Sequence, residues 1–350
     1  MGLKVQSAYL GGILVAGIML IFLSTLGGFA SKTFAAPLEL KVEKKFVRSE
    51  LSPQGLADIA EFLVAMRIRA LEIIEAKDEG VRNEIITGIM KVADLGYDSN
   101  FEEANQILLA LEKKYPEESI VMWQLSANYF FMATKIDGAD ADVKAENLRS
   151  GMKRSKKCLE RIPDSPGCRL AYAALLGTLG LVEGIFDTIS SMEEVSESLD
   201  LALDLSKKKN FPMAPKGISS YHVALGATAE FYRLVPDWWI FKMMAGVRGD
   251  KEKSWHYAKQ IPLKNLGVAN IIVRSALCWG GASENMKIVE IGLTRLAESM
   301  QLEMLHPFDE REYSRLTKLY RQLAALEEPD FDDYYDLGCK EFGNDEKDTL

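Results

Sequence analysis

Four cysteines and three histidines are spread over 350 residues, and no Cys-x-x-Cys or His-Glu-x-x-His spacing occurs among them. A zinc cluster or a dense disulfide framework is therefore excluded. Proline (11) and glycine (26) are too scarce for a loop-rich all-β chain. Basic residues are the minority charge: 42 Lys+Arg stand against 51 Asp+Glu, a net −9. A protein that wraps nucleic acid needs a concentrated basic face, so that partner class is excluded too. Sustained alternation of apolar and polar β-branched residues is also missing. What remains is 48% hydrophobic and 27% charged, the composition of a folded chain with a large core.

One stretch lacks charge altogether. From Val5 to Ser31 there is no Asp, Glu, Lys or Arg, a run longer than the roughly 20 residues that cross a bilayer. Lys4 supplies a short basic flank, and Gly28 with Ala30, or Thr33 with Ala35, supplies small residues for a signal peptidase. Residues 1–31 read as a signal anchor or signal peptide, the length favouring the anchor; no cysteine stands there for lipid attachment. Orientation is contested: Lys32, Lys41, Lys44, Lys45 and Arg48 follow the run, which would hold the domain in the cytoplasm. The short basic flank and small residues point to export, and export is preferred. Residues 32–52 read as a tether.

Beyond it the pattern is helical. Ser52-Pro53 combines an N-cap hydroxyl with a proline at the first helical position. Apolar residues then recur at three- and four-residue spacing from Leu56 to Ile74, and comparable stripes continue to about residue 327. Breaks fall at Gly96, Pro116, Asp137-Gly138, Pro163, Asn210 to Pro215, Pro236, Pro262, Gly280-Gly281 and Pro307. The expected fold is all-α, with helical hairpins filling 53–328 and an acidic, solvated tail over 329–350.

The hairpins carry a degenerate repeat. Ala104, Leu108, Leu111 and Pro116 fit the second helix of a tetratricopeptide unit, and Met122, Leu125, Ser126 and Tyr129 fit the next first helix. Gly151, Ser155, Cys158 and Pro163 complete that unit. Tyr172, Ala173 and Leu176 pair with Val195, Leu199 and Ala202. His222, Leu225, Gly226 and Ala229 pair, across an insert, with Gly249-Asp250, Ser254 and Ala258. A tetratricopeptide-like solenoid behind an N-terminal membrane or signal helix is the fold expected.

Two families of divergent tetratricopeptide proteins are resembled over about 100–325. Tyr221-His222-Val223-Ala224-Leu225-Gly226, Phe231 to Pro236 and Gly249-Asp250-Lys251-Glu252-Lys253 resemble the T-component family associated with TRAP-type solute transporters. Ala173-Ala174-Leu175-Leu176-Gly177, Glu183-Gly184-Ile185 and Pro236-Asp237-Trp238-Trp239 resemble the regulator-of-microtubule-dynamics type. The first resemblance implies a periplasmic accessory of a transporter whose partner is an extracytoplasmic solute-binding protein. The second implies a scaffold facing the cytosol from a membrane.

No enzyme pattern emerges. His222, His256 and His306 are scattered, with His222 at a repeat packing position. Cys158 and Cys168 flank the Pro163 turn, where a disulfide and simple packing both fit and packing is favoured; Cys278 and Cys339 have no neighbour that makes a nucleophile. Gly177, Gly180 and Gly184 follow no strand and lack a phosphate-binding lysine. Aromatics concentrate instead: Trp123, Tyr129, Phe130 and Phe131 on one helix, and Tyr221, Phe231, Tyr232, Trp238, Trp239, Phe241 and Trp255 around the insert. Core packing accounts for most of them. Tyr232, Trp238, Trp239 and Trp255 are the candidate contacts for a hydrophobic ligand or a partner helix. The expectation is a non-enzymatic, membrane-tethered binding or scaffold protein, extracytoplasmic (periplasmic), without metal or cofactor. The alternative is a cytosol-facing membrane-anchored scaffold.

Overall fold

The structure, a computed structural model, describes residues 45–135, 140–184, 189–237 and 239–339. The anchor at 1–31 and most of the tether lie outside the described residues, as does the acidic end from residue 340. Among the described residues no helix is long and apolar enough to cross a membrane.

Helices start where the sequence offers caps. α1 (Pro53–Ile73) opens with Ser52, whose hydroxyl accepts from the Gly55 N–H at 2.9 Å. α2 (Glu79–Tyr97) is capped by Asp78 and packs against α3 (Phe101–Lys114). α4 (Ser119–Lys135) pairs with α5 (Ala141–Arg161), and α6 (Pro166–Glu183) with α7 (Met192–Lys208). α8 (Ser220–Leu234) pairs with α10 (Lys251–Ala258) across the short α9 (Trp239–Ala245). α11 (Leu266–Ala282) pairs with α12 (Met286–Ser299). The hairpin partners are those the repeat phase assigns. Leu108, Leu125, Cys158, Ala202 and Leu225 are fully buried between them, so these degenerate repeat positions are core positions.

α13 (Pro307–Ala324) returns to the beginning of the domain. Arg311 donates to the Thr134 carbonyl at 2.9 Å, Phe308 lies 5.0 Å from Phe131 and 5.8 Å from Phe101, and His306 meets Tyr97 edge-on at 5.1 Å. Glu303, just before it, accepts from the Ser52 N–H at 2.7 Å and the Ser52 hydroxyl at 2.9 Å. The last residues of the expected tether are docked as well. The Phe46 N–H donates to Glu310 at 3.3 Å, and Arg48 pairs with Asp94 at 2.9 Å. Residues near 50 and near 305 thus share one seam, and the repeat domain closes on itself.

Three elements depart from expectation. The break read at Asn210 to Pro215 holds the first strand of a small antiparallel hairpin, β1 (Pro212–Ala214), whose partner β2 (Ile218–Ser219) precedes α8. Its turn needs left-handed backbone at both Lys216 (φ 60°) and Gly217 (φ 69°), and only the glycine takes that without strain. α9 is a helix inside the insert, where the periodicity assigned no stripe. The acidic tail does not begin as a solvated extension, because α14 (Phe331–Cys339) docks on α11. Its acids Asp332 and Asp336 are exposed, whereas Tyr334 and Gly338, four residues apart, face inward.

That docking is unusually close. A Cβ on Gly281 would lie 2.5 Å from the Phe331 carbonyl oxygen, and one on Gly338 would lie 2.8 Å from the Cys278 Cα. The last carbonyls of α14 have no intrahelical donor and are met by two buried arginines. Arg233, 2% exposed, donates to the Gly338 carbonyl at 2.9 Å and that of Cys339 at 3.3 Å; Arg274 reaches the Leu337 carbonyl at 3.3 Å. Cys278 and Cys339, which sequence reasoning left unconnected, form a disulfide across this contact. Cys158 and Cys168 form another, joining the end of α5 to the start of α6 where packing alone had been favoured. The Cys278–Cys339 pair was hidden because connectivity depends on how the helices fold together.

Candidate functional site

The inner faces of the repeats line a half-open cavity of about 690 Å³. It exists because the first helices of successive hairpins present small residues there: Ala127 on α4, Ala174 and Gly177 on α6, Gly226 and Ala227 on α8. Ala127, Ala174 and Ala227 are neither buried nor fully exposed, because they border this space. Larger apolar groups complete the wall, among them Phe62 and Met66 of α1, Trp123 of α4 and Ile271 of α11. The hairpin at 212–219 closes one side, with the Phe211 ring wedged between Trp123 (5.4 Å) and the Arg69 guanidinium (5.2 Å).

One wall is polar. Glu312 accepts from Asn270 at 2.9 Å on one oxygen, and from Arg311 at 3.0 Å and Arg315 at 3.3 Å on the other. Arg274 donates to the Asn270 amide oxygen at 3.1 Å, which ties this wall to the arginine that holds α14. Two guanidinium groups, Arg311 and Arg315, thus stand beside the Glu312 carboxylate, and Asp309 and Glu230 border the same cavity. Next to it, His306 caps α13 by accepting from the Phe308 N–H at 3.2 Å, and Asp309 accepts from the Leu305 N–H (2.8 Å) and the His306 N–H (3.0 Å). Burial pushes the Asp309 carboxyl up to about 6 and the His306 imidazole down to about 4. His222 also borders the cavity; burial lowers it, and its Nδ1 sits 3.3 Å from the Ser219 N–H as a capping partner. Among the described residues no group of His, Cys, Asp and Glu is arranged to hold a metal ion.

The sequence-predicted contacts are not gathered here. Tyr232 is buried in a core cluster, stacked on Tyr257 at 6.2 Å with Lys253 over its ring at 4.9 Å. Trp255 is buried among Ala202, Leu225 and Ile272. Trp239 is 68% exposed on α9, and Trp238 lies outside the described residues. None of Tyr232, Trp239 and Trp255 lines the cavity. The earlier cluster did better: Trp123, Phe130 and Phe131 all line it. The polar wall was missed altogether. Its available signal was Asn270 and Arg274, two polar residues one turn apart in the otherwise apolar helix α11.

Fold and cavity together define an all-α helical-repeat protein with a half-open cavity that has apolar walls and one polar wall. A family model described as Regulator of microtubule dynamics protein 1-3 matches residues 89–229. Regulator of microtubule dynamics protein 3 of Mus musculus is 26% identical over 159 residues, 45% of this chain and 32% of the mouse protein. The chain thus aligns with about a third of that relative's length. The family match runs from α2 through most of α8, so it includes Ala127, Ala174 and Ala227 but not Asn270, Glu312 or α9. The microtubule-regulator resemblance is supported, whereas the T-component resemblance finds no support in either match. The periplasmic, extracytoplasmic location is overturned: the relative is a mouse protein named for microtubule dynamics, and a periplasm belongs to bacteria with two membranes.

Proposed function

We propose that this chain is a non-enzymatic binding protein whose repeat domain holds an amphipathic ligand, its apolar body against the small-residue walls and its polar end at Arg311 and Arg315. The observation that carries this reading is the juxtaposition of a 690 Å³ apolar space with one polar wall that presents Arg311 and Arg315. The absence of catalysis is part of the proposal. Glu312 and Asn270, the acid and amide on that wall, are engaged with neighbouring side chains rather than poised against a nucleophile.

Fluorescence of 1-anilinonaphthalene-8-sulfonate, an apolar anion, tests the site. Saturable enhancement by the folded chain is expected, with loss on Ala227→Trp, which fills the cavity, and weakening on Arg315→Gln. Unchanged binding by both folded variants refutes the reading. A protein partner is the second reading, and α9 favours it: Trp239, Met243 and Met244 are 68, 72 and 58% exposed on one short helix. The similarity to a named microtubule regulator makes co-pelleting with microtubules its direct check. Loss on Trp239→Ser with Met243→Ser would assign the contact to α9.

A further inference from the structure

α1 is the first helix of the array, and both of its faces are apolar. The inner face buries Gly55, Ile59 and Ala70 and sends Phe62 and Met66 to the cavity. On the outer face Leu56, Val64 and Ile68 are 47, 61 and 55% exposed, and Ala60, also exposed, completes a stripe with one residue every four positions. A helix face turned to water is ordinarily polar; this one is not. Glu61 and Arg67 are exposed beside the stripe, three residues before and three after Val64. Neither has an ion-pair partner among the described residues, whereas Arg69 on the same helix is paired with Glu72 at 2.8 Å.

We infer that the occupant of this face is the same face of a second copy, in an antiparallel pair with its two-fold axis at Val64. Such an axis sets each residue a given distance before position 64 against the residue the same distance after it. Val64 then meets the partner's Val64, Ala60 meets the partner's Ile68, small against large, and Glu61 meets the partner's Arg67. The ion pair forms twice, as an isologous contact requires. A parallel arrangement would set Glu61 against Glu61 and Arg67 against Arg67, so the charges select the antiparallel one. The helix is about 31 Å long by its rise per residue, and a one-helix contact of that length falls in the range of weak, reversible interfaces.

Two measurements on the full chain test this. Val64→Cys, mildly oxidised, is expected to give a disulfide-linked dimer, because the axis places the two thiols together. Leu201→Cys, an exposed leucine on α7, serves as the control and is expected to give none. In sedimentation velocity, Glu61→Arg is expected to raise the dimer dissociation constant about tenfold or more, since it sets four cationic groups together. Glu61→Arg combined with Arg67→Glu restores the pairs and is expected to restore the dimer. A monomeric parent chain overturns the inference. So does a Val64→Cys chain that cross-links no better than the control. Association indifferent to Glu61→Arg overturns it as well, and would be sought in the apolar run of residues 5–31.

Discussion

Replacing Gly338 and Gly177 by alanine, one at a time, is expected to change stability in opposite directions. In a helix each change gains up to about 1 kcal/mol from the lower backbone entropy of alanine, somewhat less for Gly338 in the last turn of α14. At Gly177, inside α6, the new methyl would find only the Val195 side chain at 3.9 Å, an ordinary contact, so the gain of roughly 0.5–1 kcal/mol survives. At Gly338 the methyl meets the backbone of Cys278, with the Cα 2.8 Å away, and a helix backbone cannot step aside as a side-chain tip can. Overpacking of this kind costs about 1–3 kcal/mol. Moving α14 outward also stretches the Arg233 bond to the Gly338 carbonyl, a charge-assisted bond contributing about 1.5–3 kcal/mol. A net loss of about 2–4 kcal/mol follows for Gly338→Ala once the helix gain is subtracted. Urea unfolding followed by far-ultraviolet circular dichroism reads both, with the midpoint of Gly338→Ala falling and that of Gly177→Ala rising. A Gly338→Ala midpoint at or above the parent's would refute the close helix contact, and a lowered Gly177→Ala midpoint would refute the open space at α6.

Thiol titration of the denatured, unreduced chain is expected to find no free cysteine, since all four are paired; any reactive thiol removes one of the pairs. The His306–Asp309 cap makes an opposed pH pair. Asp309, raised from 3.8 to about 6, contributes stability that is complete below 3.8 and lost as pH rises through 6. His306, lowered from 6.5 to about 4, contributes stability that is complete above 6.5 and lost as pH falls through 4. Each amounts to about 3 kcal/mol at 1.36 kcal/mol per unit, so the two nearly cancel between pH 4 and 6. His306→Asn, which keeps a capping oxygen, should therefore grow more stable than the parent on acidification from pH 6 to 4, and Asp309→Asn less stable. Parallel pH profiles for all three chains would contradict this balance.

The sequence was most legible where periodicity and chain breaks agree. Leu125, Leu176 and Leu225 sit at repeat positions, and each falls on the first helix of a hairpin that the structure builds. It was least legible where an element is short or its partner is distant. α9 spans 7 residues and α14 spans 9, too few for a periodic stripe to stand out, and the 212–219 hairpin lacks an Asn-Gly turn. The cavity does not lie where most of the candidate aromatics do, for a physical reason. Large aromatics fill space, so Tyr232 and Trp255 mark solid core; the cavity lies where Ala174, Gly177 and Ala227 leave space unfilled. Its polar wall joins Asn270 to Glu312, 42 residues apart, through helices whose meeting no local pattern reveals.

An open superhelix can gain or lose a hairpin at either end during evolution, because only one neighbour notices. Here the seam between Ser52 and Glu303 makes the first and last units neighbours. The rotation contributed by every hairpin must then sum to a fixed total, as in a propeller whose blade count is set by closure. Duplicating one unit would force the seam apart and draw α13 away from Thr134 and Phe131.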